Sequence, residues 1–438
     1  MRRIRLWAFG LVLVLTGVAD AQSPDQFKLP DGVTIDALAD AKEAARVADV
    51  LDRRYPKPQS EAARMLIAIL RGSQLNGTDG WFGPSQSRYS WNWLAQRSGV
   101  DAAKAITLKE FTGPQALFMQ LDRDGDGKLA ASDFDWSERS PYVMQANLYS
   151  RFFRRMDGNG DGKLTKEEFD FAFEMLSRKG DSFTADQFRR MMIPRGTGAM
   201  PAGDAPSTPM LVKALFGNEI GSMTEGPAIG EIAPDFTLKS ADGSKDITLS
   251  KMLGGKPTVL CFGNFTCGPF RSLYPDVDAV YSRFKDKANF VMVYVREAHP
   301  TDGWKMDSNA RFGVKTAQPK TYDERVEVCT QFQKLIKPGM SVVVDDITDP
   351  AGKAYSGMPA RLYVIDAQGK IAYKGGRGPF GFKPSEMEQA LVMSLVEAEA
   401  PKAVQTTPPM SSVVPVGTVM IDPNCPPANR RFLGRIRR

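Results

Sequence analysis

Cys267 is the residue whose neighbours best equip it for chemistry. It sits in Thr266-Cys267-Gly268-Pro269-Phe270, just after the short apolar run Val259 to Phe262. Such a run fills a buried parallel strand. Pro269 fits the first turn of a helix, where the backbone N–H groups have no intrahelical partner. Cys267 is therefore predicted at a helix N-terminus, facing unpaired N–H groups and the positive end of the dipole. That setting predicts a thiol pKa drawn from about 8.5 towards or below neutrality. His299 is the only histidine in the chain. Glu297 lies two residues before it, so in an extended segment both side chains point the same way. A carboxylate beside an imidazole suits proton transfer near neutral pH.

A second chemistry is written in two acidic loops. The first runs from Asp122 through Asp124, Asp126 and Lys128 to Asp133. The second runs from Asp157 through Asn159, Asp161, Lys163 and Thr165 to Glu168. Both carry oxygen ligands at the alternating positions of an EF-hand, with glycine at position 6. Calcium needs several hard oxygens, and the glycine turn folds alternate side chains onto one ion; Lys128 and Lys163 would contribute backbone carbonyls. Asp133 at position 12 is shorter than Glu168, and Ala130 at position 9 leaves that place to water, so the first loop is predicted to bind more weakly. Leu129 and Leu164 are expected to pair as a short strand between the loops. Weaker echoes occur at Ile106 and at Thr184 to Gln187.

The elements that must position these groups divide the 438 residues into several units, because one core rarely grows so large. Residues 1–21 read as an export signal, with Arg2, Arg3 and Arg5, an apolar stretch, and the small residues Ala19 and Ala21. No integral membrane span is expected once it is removed, and the destination is periplasmic or extracellular. Residues 22–98 read as a helical region, 99–193 as the EF-hand pair, and 194–229 as a Pro- and Gly-rich linker. The aromatic run around Trp81, Trp91 and Trp93 is expected to pack on the next domain. Residues 230–400 alternate strands and helices and close with a hairpin and a helix, which predicts a thioredoxin-like α/β domain. Residues 401–438 are a Pro-rich basic tail. The fold class is thus multidomain, α followed by α/β. Net charge is +6, too mild to suggest a nucleic-acid partner. Four cysteines are too few for a disulfide scaffold in an exported chain and fit one or two redox-active thiols. Cys261 is expected in the core, Cys329 in the core or as a resolving thiol, and Cys425 in the tail.

The C-terminal unit resembles a known family. Asn264-Phe-Thr-Cys-Gly-Pro-Phe270 is similar to the motif of the iodothyronine deiodinases, which hold selenocysteine at the position of Cys267. Val293-Tyr294-Val-Arg-Glu297-Ala-His299-Pro-Thr-Asp302-Gly303-Trp304 and Pro359-Ala-Arg361-Leu-Tyr363 resemble its further signatures. Met358-Pro359 also looks like the cis-proline of thioredoxins. The resemblance implies that Tyr294, Glu297 and His299 form a proton network around Cys267. It further implies that Arg361, with Pro359 and Thr266, binds an anionic substrate group. The reaction so implied is attack by Cys267 on a halogenated aromatic or other small-molecule oxidant, with an external thiol as reductant. A peroxiredoxin-like thiol peroxidase and a non-catalytic, calcium-stabilised binding module are the competing readings. The acidity of Cys267 discriminates enzyme from module, and its response to iodothyronine against hydrogen peroxide discriminates the two enzymes.

Overall fold

The computed structural model describes residues 28–55, 57, 59–72, 84–137, 139–192, 206–221, 224–378, 381–399 and 414–415. The export signal, Trp81, Cys425 and all of the basic tail except Val414 and Pro415 lie outside them. The chain opens with helices α1 (Ala41–Arg54) and α2 (Glu61–Leu70). Asp40 caps α1 by accepting hydrogen bonds from the N–H groups of Lys42 and Glu43, and Ser60 caps α2. A two-residue strand β1 (Gln86–Ser87) and helix α3 (Trp91–Arg97) follow. Strand β2 (Ile106–Thr107), helix α4 (Gln115–Leu121) and strand β3 (Lys128–Leu129) frame the first acidic loop. Helices α5 (Pro141–Met156), α6 (Lys166–Ser177) and α7 (Ala185–Met192) frame the second.

The stretch expected as linker departs from that reading. Residues Thr208–Phe216 form helix α8, capped by Ser207. Its apolar residues Leu211, Val212 and Leu215 bury themselves with Leu51, Leu66 and Ile69 of α1 and α2. The Pro and Gly content of the flanks hides a nine-residue apolar run that needs a partner face.

The C-terminal unit begins with the hairpin β4 (Thr237–Ser240) and β5 (Asp246–Thr248) and the one-turn helix α9 (Leu249–Met252). Then come β6 (Thr258–Gly263), α10 (Gly268–Phe284), β7 (Asn289–Tyr294), the short helix α11 (Asp307–Arg311) and α12 (Tyr322–Ile336). Strand β8 (Ser341–Val344), α13 (Pro350–Ala354), β9 (Arg361–Ile365), β10 (Ile371–Lys374), α14 (Pro384–Ala398) and β11 (Val414–Pro415) complete it. The sheet order is β11-β1-β10-β9-β6-β7-β8-β4-β5. β6 pairs parallel with β7 and antiparallel with β9. A central strand leading into a helix, a parallel neighbour on one side and an antiparallel hairpin on the other make a thioredoxin-like fold. Every residue of β6 is buried, as its unbroken apolar run requires. Tyr89 and Trp91 join the core of this sheet, so the aromatics around α3 do pack on the next domain. β1 extends the sheet edge, which sequence periodicity over two residues could not reveal.

Candidate functional site

Cys267 is the N-cap of α10, and Pro269 occupies the first turn. The preceding loop is held by side chains from three directions. Asn264 is fully buried; its Oδ1 accepts from the Cys267 N–H at 3.0 Å, the Thr266 hydroxyl at 3.2 Å and the Ala298 N–H at 3.3 Å. Its Nδ2 donates to the carbonyl of Pro359 at 2.8 Å, and Met358-Pro359 is cis. Glu297 receives the Thr266 N–H at 2.8 Å and a short hydrogen bond from the Tyr294 hydroxyl. Tyr294 in turn accepts the Phe265 N–H at 3.1 Å. The His299 N–H donates to Thr266 Oγ1 at 2.9 Å. The structure therefore brings Tyr294, Glu297, His299, Thr266 and Pro359 to one loop around Cys267. Thr266 is itself buried, and its polar groups are engaged in shaping that loop.

Two expectations change. The sulfur is not held as an anion. Cys267 is 1% exposed, and burial pushes its thiol up to about 11, against the Phe270 N–H and Arg271, which favour the thiolate. Removal from water outweighs the helix terminus because no water remains to solvate the charge. The segment 298–318 packs beside this loop. Its Asn309 donates to the Thr266 carbonyl at 2.8 Å, and Trp304 packs edge-on to the His299 ring with centroids 4.6 Å apart. His299 Nδ1 faces the Trp304 carbonyl at 3.1 Å; a carbonyl only accepts, so Nδ1 carries the proton in the neutral ring.

Arg361 is the second correction. Its guanidinium is buried and ion-paired with Glu61 of α2 at 3.5 Å, and it donates to the carbonyls of Gly375, Glu225 and Ser356. Arg377 reaches the same carboxylate at 3.3 Å. The arginine that the resemblance assigned to substrate is thus neutralised by the N-terminal helices. Cys261 and Cys329 are fully buried. Burial raises both thiols, so in this conformation they are core residues.

The acidic loops keep their expected shape but not their expected pairing. In the first, oxygens of Asp122, Asp124 and Asp126 lie within 4.8 Å of one another. Asp133 clasps the loop ends by accepting from the N–H groups of Arg123 and Ala130. In the second, Asp157 accepts from Gly160 at 2.7 Å and Gly162 at 3.0 Å, and Asn159 and Asp161 accept from Asp161 and Lys163, both at 2.8 Å. Glu168 closes that loop on the N–H groups of Gly158, Asn159 and Thr165. Both donor sets fit a hard divalent cation. However, Leu129 pairs with Ile106, not with Leu164. Ile106 and Leu129 are both fully buried in the main core, whereas Leu164 is only half-buried and lies outside any strand. The first hand is therefore partnered by the degenerate echo at Ile106. The second leans on α10: a methyl on Gly162 would lie 2.6 Å from the Ser272 carbonyl oxygen, and one on Gly160 2.7 Å from the Phe312 ring.

Comparison with known proteins places this architecture. The iodothyronine deiodinase family model matches residues 210–394, and the EF-hand model matches residues 115–134 and 148–171. The thyroxine 5-deiodinase of Gallus gallus is 31% identical over 194 residues, covering 44% of this chain and 73% of that protein. The chain belongs to the iodothyronine deiodinase family. A thyroxine 5-deiodinase of Aquarana catesbeiana is 34% identical over 184 residues, covering 41% of this chain and 65% of that protein. Among solved structures, a putative thiol:disulfide interchange protein DsbE from Chlorobium tepidum matches with a TM-score of 0.28 at 21% identity. It covers 39% of this chain and 99% of that one.

This deiodinase-family chain is accordingly a thioredoxin-fold oxidoreductase with EF-hands in its N-terminal half. Among the described residues no helix is long and apolar enough to cross a membrane. Several of its site residues escaped sequence reasoning. Arg271, Asn309 and Gln318 are polar residues in a helix or in irregular chain, where solvation is the ordinary expectation. Yet Arg271 is 1% exposed, and Gln318 brackets Glu297 by bonding to both its N–H and its carbonyl.

Proposed function

We propose that this protein is an exported, calcium-binding thiol oxidoreductase that removes halogen reductively from iodothyronine-like aromatics through Cys267. The observation that carries the reading is the loop around that residue, where Glu297, Tyr294 and the His299 backbone all bond to residues 265–266. In the reaction, Cys267 Sγ attacks iodine, the carbon–iodine bond breaks, and the ring carbon takes a proton. His299 as imidazolium, its Nδ1–H on the Trp304 carbonyl, is the proposed proton source through Nε2, while Glu297 and Tyr294 hold the loop. The cysteine is left as a sulfenyl iodide. An external thiol displaces iodide to form a mixed disulfide, and a second thiol reduces it. Two thiols are oxidised to a disulfide for each iodide released. Cys267 is 1% exposed, so chain around the sulfur must move for substrate to reach it.

The test is mass spectrometry of the Cys267 peptide after exposure to an iodothyronine or to hydrogen peroxide, with iodide measured in parallel under a dithiol reductant. Iodide release with Cys267 as the modified sulfur is expected. No iodide, with Cys267 oxidised by peroxide, would make the protein a thiol peroxidase. A second reading, a calcium-stabilised module without turnover, is favoured by one observation, the near-complete burial of the sulfur. Inertness to both oxidants would establish it.

Calcium is proposed in both loops, held by Asp122, Asp124, Asp126, Asp133 and the Lys128 carbonyl in the first. In the second the proposed ligands are Asp157, Asn159, Asp161, Glu168 and the Lys163 carbonyl, with Thr165 completing the set. The second ion would brace α10 through Gly162 and the end of α11 through Gly160. A ligand that binds only the folded state at about 100 times its dissociation constant adds about 2.7 kcal/mol. Calcium is therefore expected to raise the unfolding temperature by several degrees. Glu168→Gln should abolish most of that gain, and an unchanged gain in this variant would remove the second loop from the account.

A further inference from the structure

Arg271 is a buried cation whose position no structural need of α10 explains. It stands four residues after Cys267, so the N-cap and this side chain share one face of the helix. The side chain does not extend outward. It folds back over the N-terminus: a methyl on Gly268 would lie 3.8 Å from Nη2, and Nη1 donates a short hydrogen bond to the carbonyl of Phe265. To run from residue 271 to residue 265 the guanidinium must pass beside residue 267. Nη2 also donates to Asn309 Oδ1 at 2.9 Å. The rings of Phe265 and Phe312 stand 5.9 Å from its central carbon. Nε is buried and has no hydrogen-bond partner among the described residues. Among the described residues no salt bridge of 4 Å or less joins it to a carboxylate. A guanidinium taken out of water without an anion is costly. The acidic groups that act on it are Cys267, Glu297 and Tyr294.

We infer that Arg271 is the counter-ion of the Cys267 thiolate, a cation held in reserve by Asn309 and the Phe265 carbonyl until the thiol gives up its proton. This rests on the reading of Cys267 as the nucleophile. The step is an acid dissociation: the S–H bond breaks, the proton leaves to solvent when water reaches the sulfur, and the negative charge on sulfur is met by the fixed charge of Arg271. The charged and titratable groups beside this pair are Tyr294 at the end of β7 and Glu297 three residues on, with His299, whose N–H bonds to Thr266 Oγ1. Glu297 opposes the thiolate, and Tyr294 shares its charge by hydrogen bonding. Asn309 and Phe312, from the segment 298–318, are uncharged. An opposite charge nearby lowers a thiol pKa by about 1–3 units, so Arg271 opposes the effect of burial, and loss of its charge should raise the thiol further.

The experiment follows the rate of Cys267 alkylation by iodoacetamide against pH in the full chain, read by peptide mass spectrometry. The wild type is compared with Arg271→Gln and Arg271→Lys. Glutamine keeps donors for Phe265 and Asn309 but loses the charge. Lysine keeps the charge but loses the fork. A counter-ion role predicts that glutamine moves the midpoint up by about one unit or more, a roughly tenfold slower reaction at any pH below it. Lysine should stay within about half a unit of the wild type. The opposite order, equal shifts in both variants, or no shift in either would overturn the inference and leave Arg271 a structural clasp. If one variant fails to fold, the other still decides, because the two roles predict different behaviour for each. A wild-type Cys267 that resists alkylation at every pH would sink the nucleophile itself, a result distinct from these.

Discussion

Cys267→Ser is expected to lower iodide release by roughly a thousandfold or more while leaving the fold intact. The attacking species must be a soft, polarisable anion, and a serine hydroxyl ionises far above any usable pH. Serine is close to isosteric at a site where the neighbouring N–H is already satisfied by Asn264, so the unfolding midpoint should move little. The pH dependence carries a further signature. With the thiol pushed up to about 11 by burial, the thiolate fraction near pH 7 is only about one in ten thousand. The anion becomes more abundant as pH rises towards its pKa. Wild-type turnover should therefore increase by about tenfold per pH unit through the mildly alkaline range, wherever the closed form is the one that ionises. The serine variant should show no such slope. The measurement is initial iodide release from pH 6 to 10 under saturating thiol reductant. A serine variant retaining even a tenth of wild-type turnover would remove Cys267 from the chemistry.

How far this site could be read from sequence depended on the range of the interactions involved. Cys267 at a helix N-terminus followed from an apolar run, a loop and Pro269, all local features. Tyr294 ends the strand beside β6 and Glu297 and His299 follow it, and strand order in an α/β sheet makes that neighbourhood predictable. The acidity of the thiol was not predictable in this way. It turns on the near-complete burial of the sulfur, which chain from elsewhere in the fold supplies, and no local pattern around Cys267 announces it. Asn264 illustrates the same limit from the other side. It sits in a loop, where asparagine is ordinary, yet it collects three donors from residues up to 34 positions away. The misplaced partner of Leu129 has a similar cause. Two loops of matching pattern suggest mutual pairing, but burial in the common core decided in favour of Ile106.

The second large effect lies away from the sulfur, at Glu61. This carboxylate is 4% exposed and is ion-paired to Arg361 at 3.5 Å and Arg377 at 3.3 Å. Burial alone would raise its pKa. The charges of Arg361, Arg377 and Lys374 outweigh burial and hold it at about 2, from an ordinary 4.5. A folded-state pKa below the unfolded value means that the group stabilises the protein above about pH 4.5. That contribution is lost as pH falls towards about 2. The shift corresponds to about 3 kcal/mol. Glu61→Gln removes the charge at every pH and leaves two guanidinium groups buried beside a neutral amide. Breaking a buried ion pair from one side costs about 3–5 kcal/mol. Urea unfolding at pH 7 should show a loss of that size, shrinking as pH falls from about 4.5 towards about 2, because the wild type loses the same charge there. Because Glu61 belongs to α2 and its arginine partners to the thioredoxin-like unit, the loss should also loosen the N-terminal helices. Faster hydrogen exchange in α1, α2 and α8 would report it. A loss below about 1 kcal/mol at pH 7 would mean that water replaces the carboxylate, and that Arg361 is open to an anionic ligand after all.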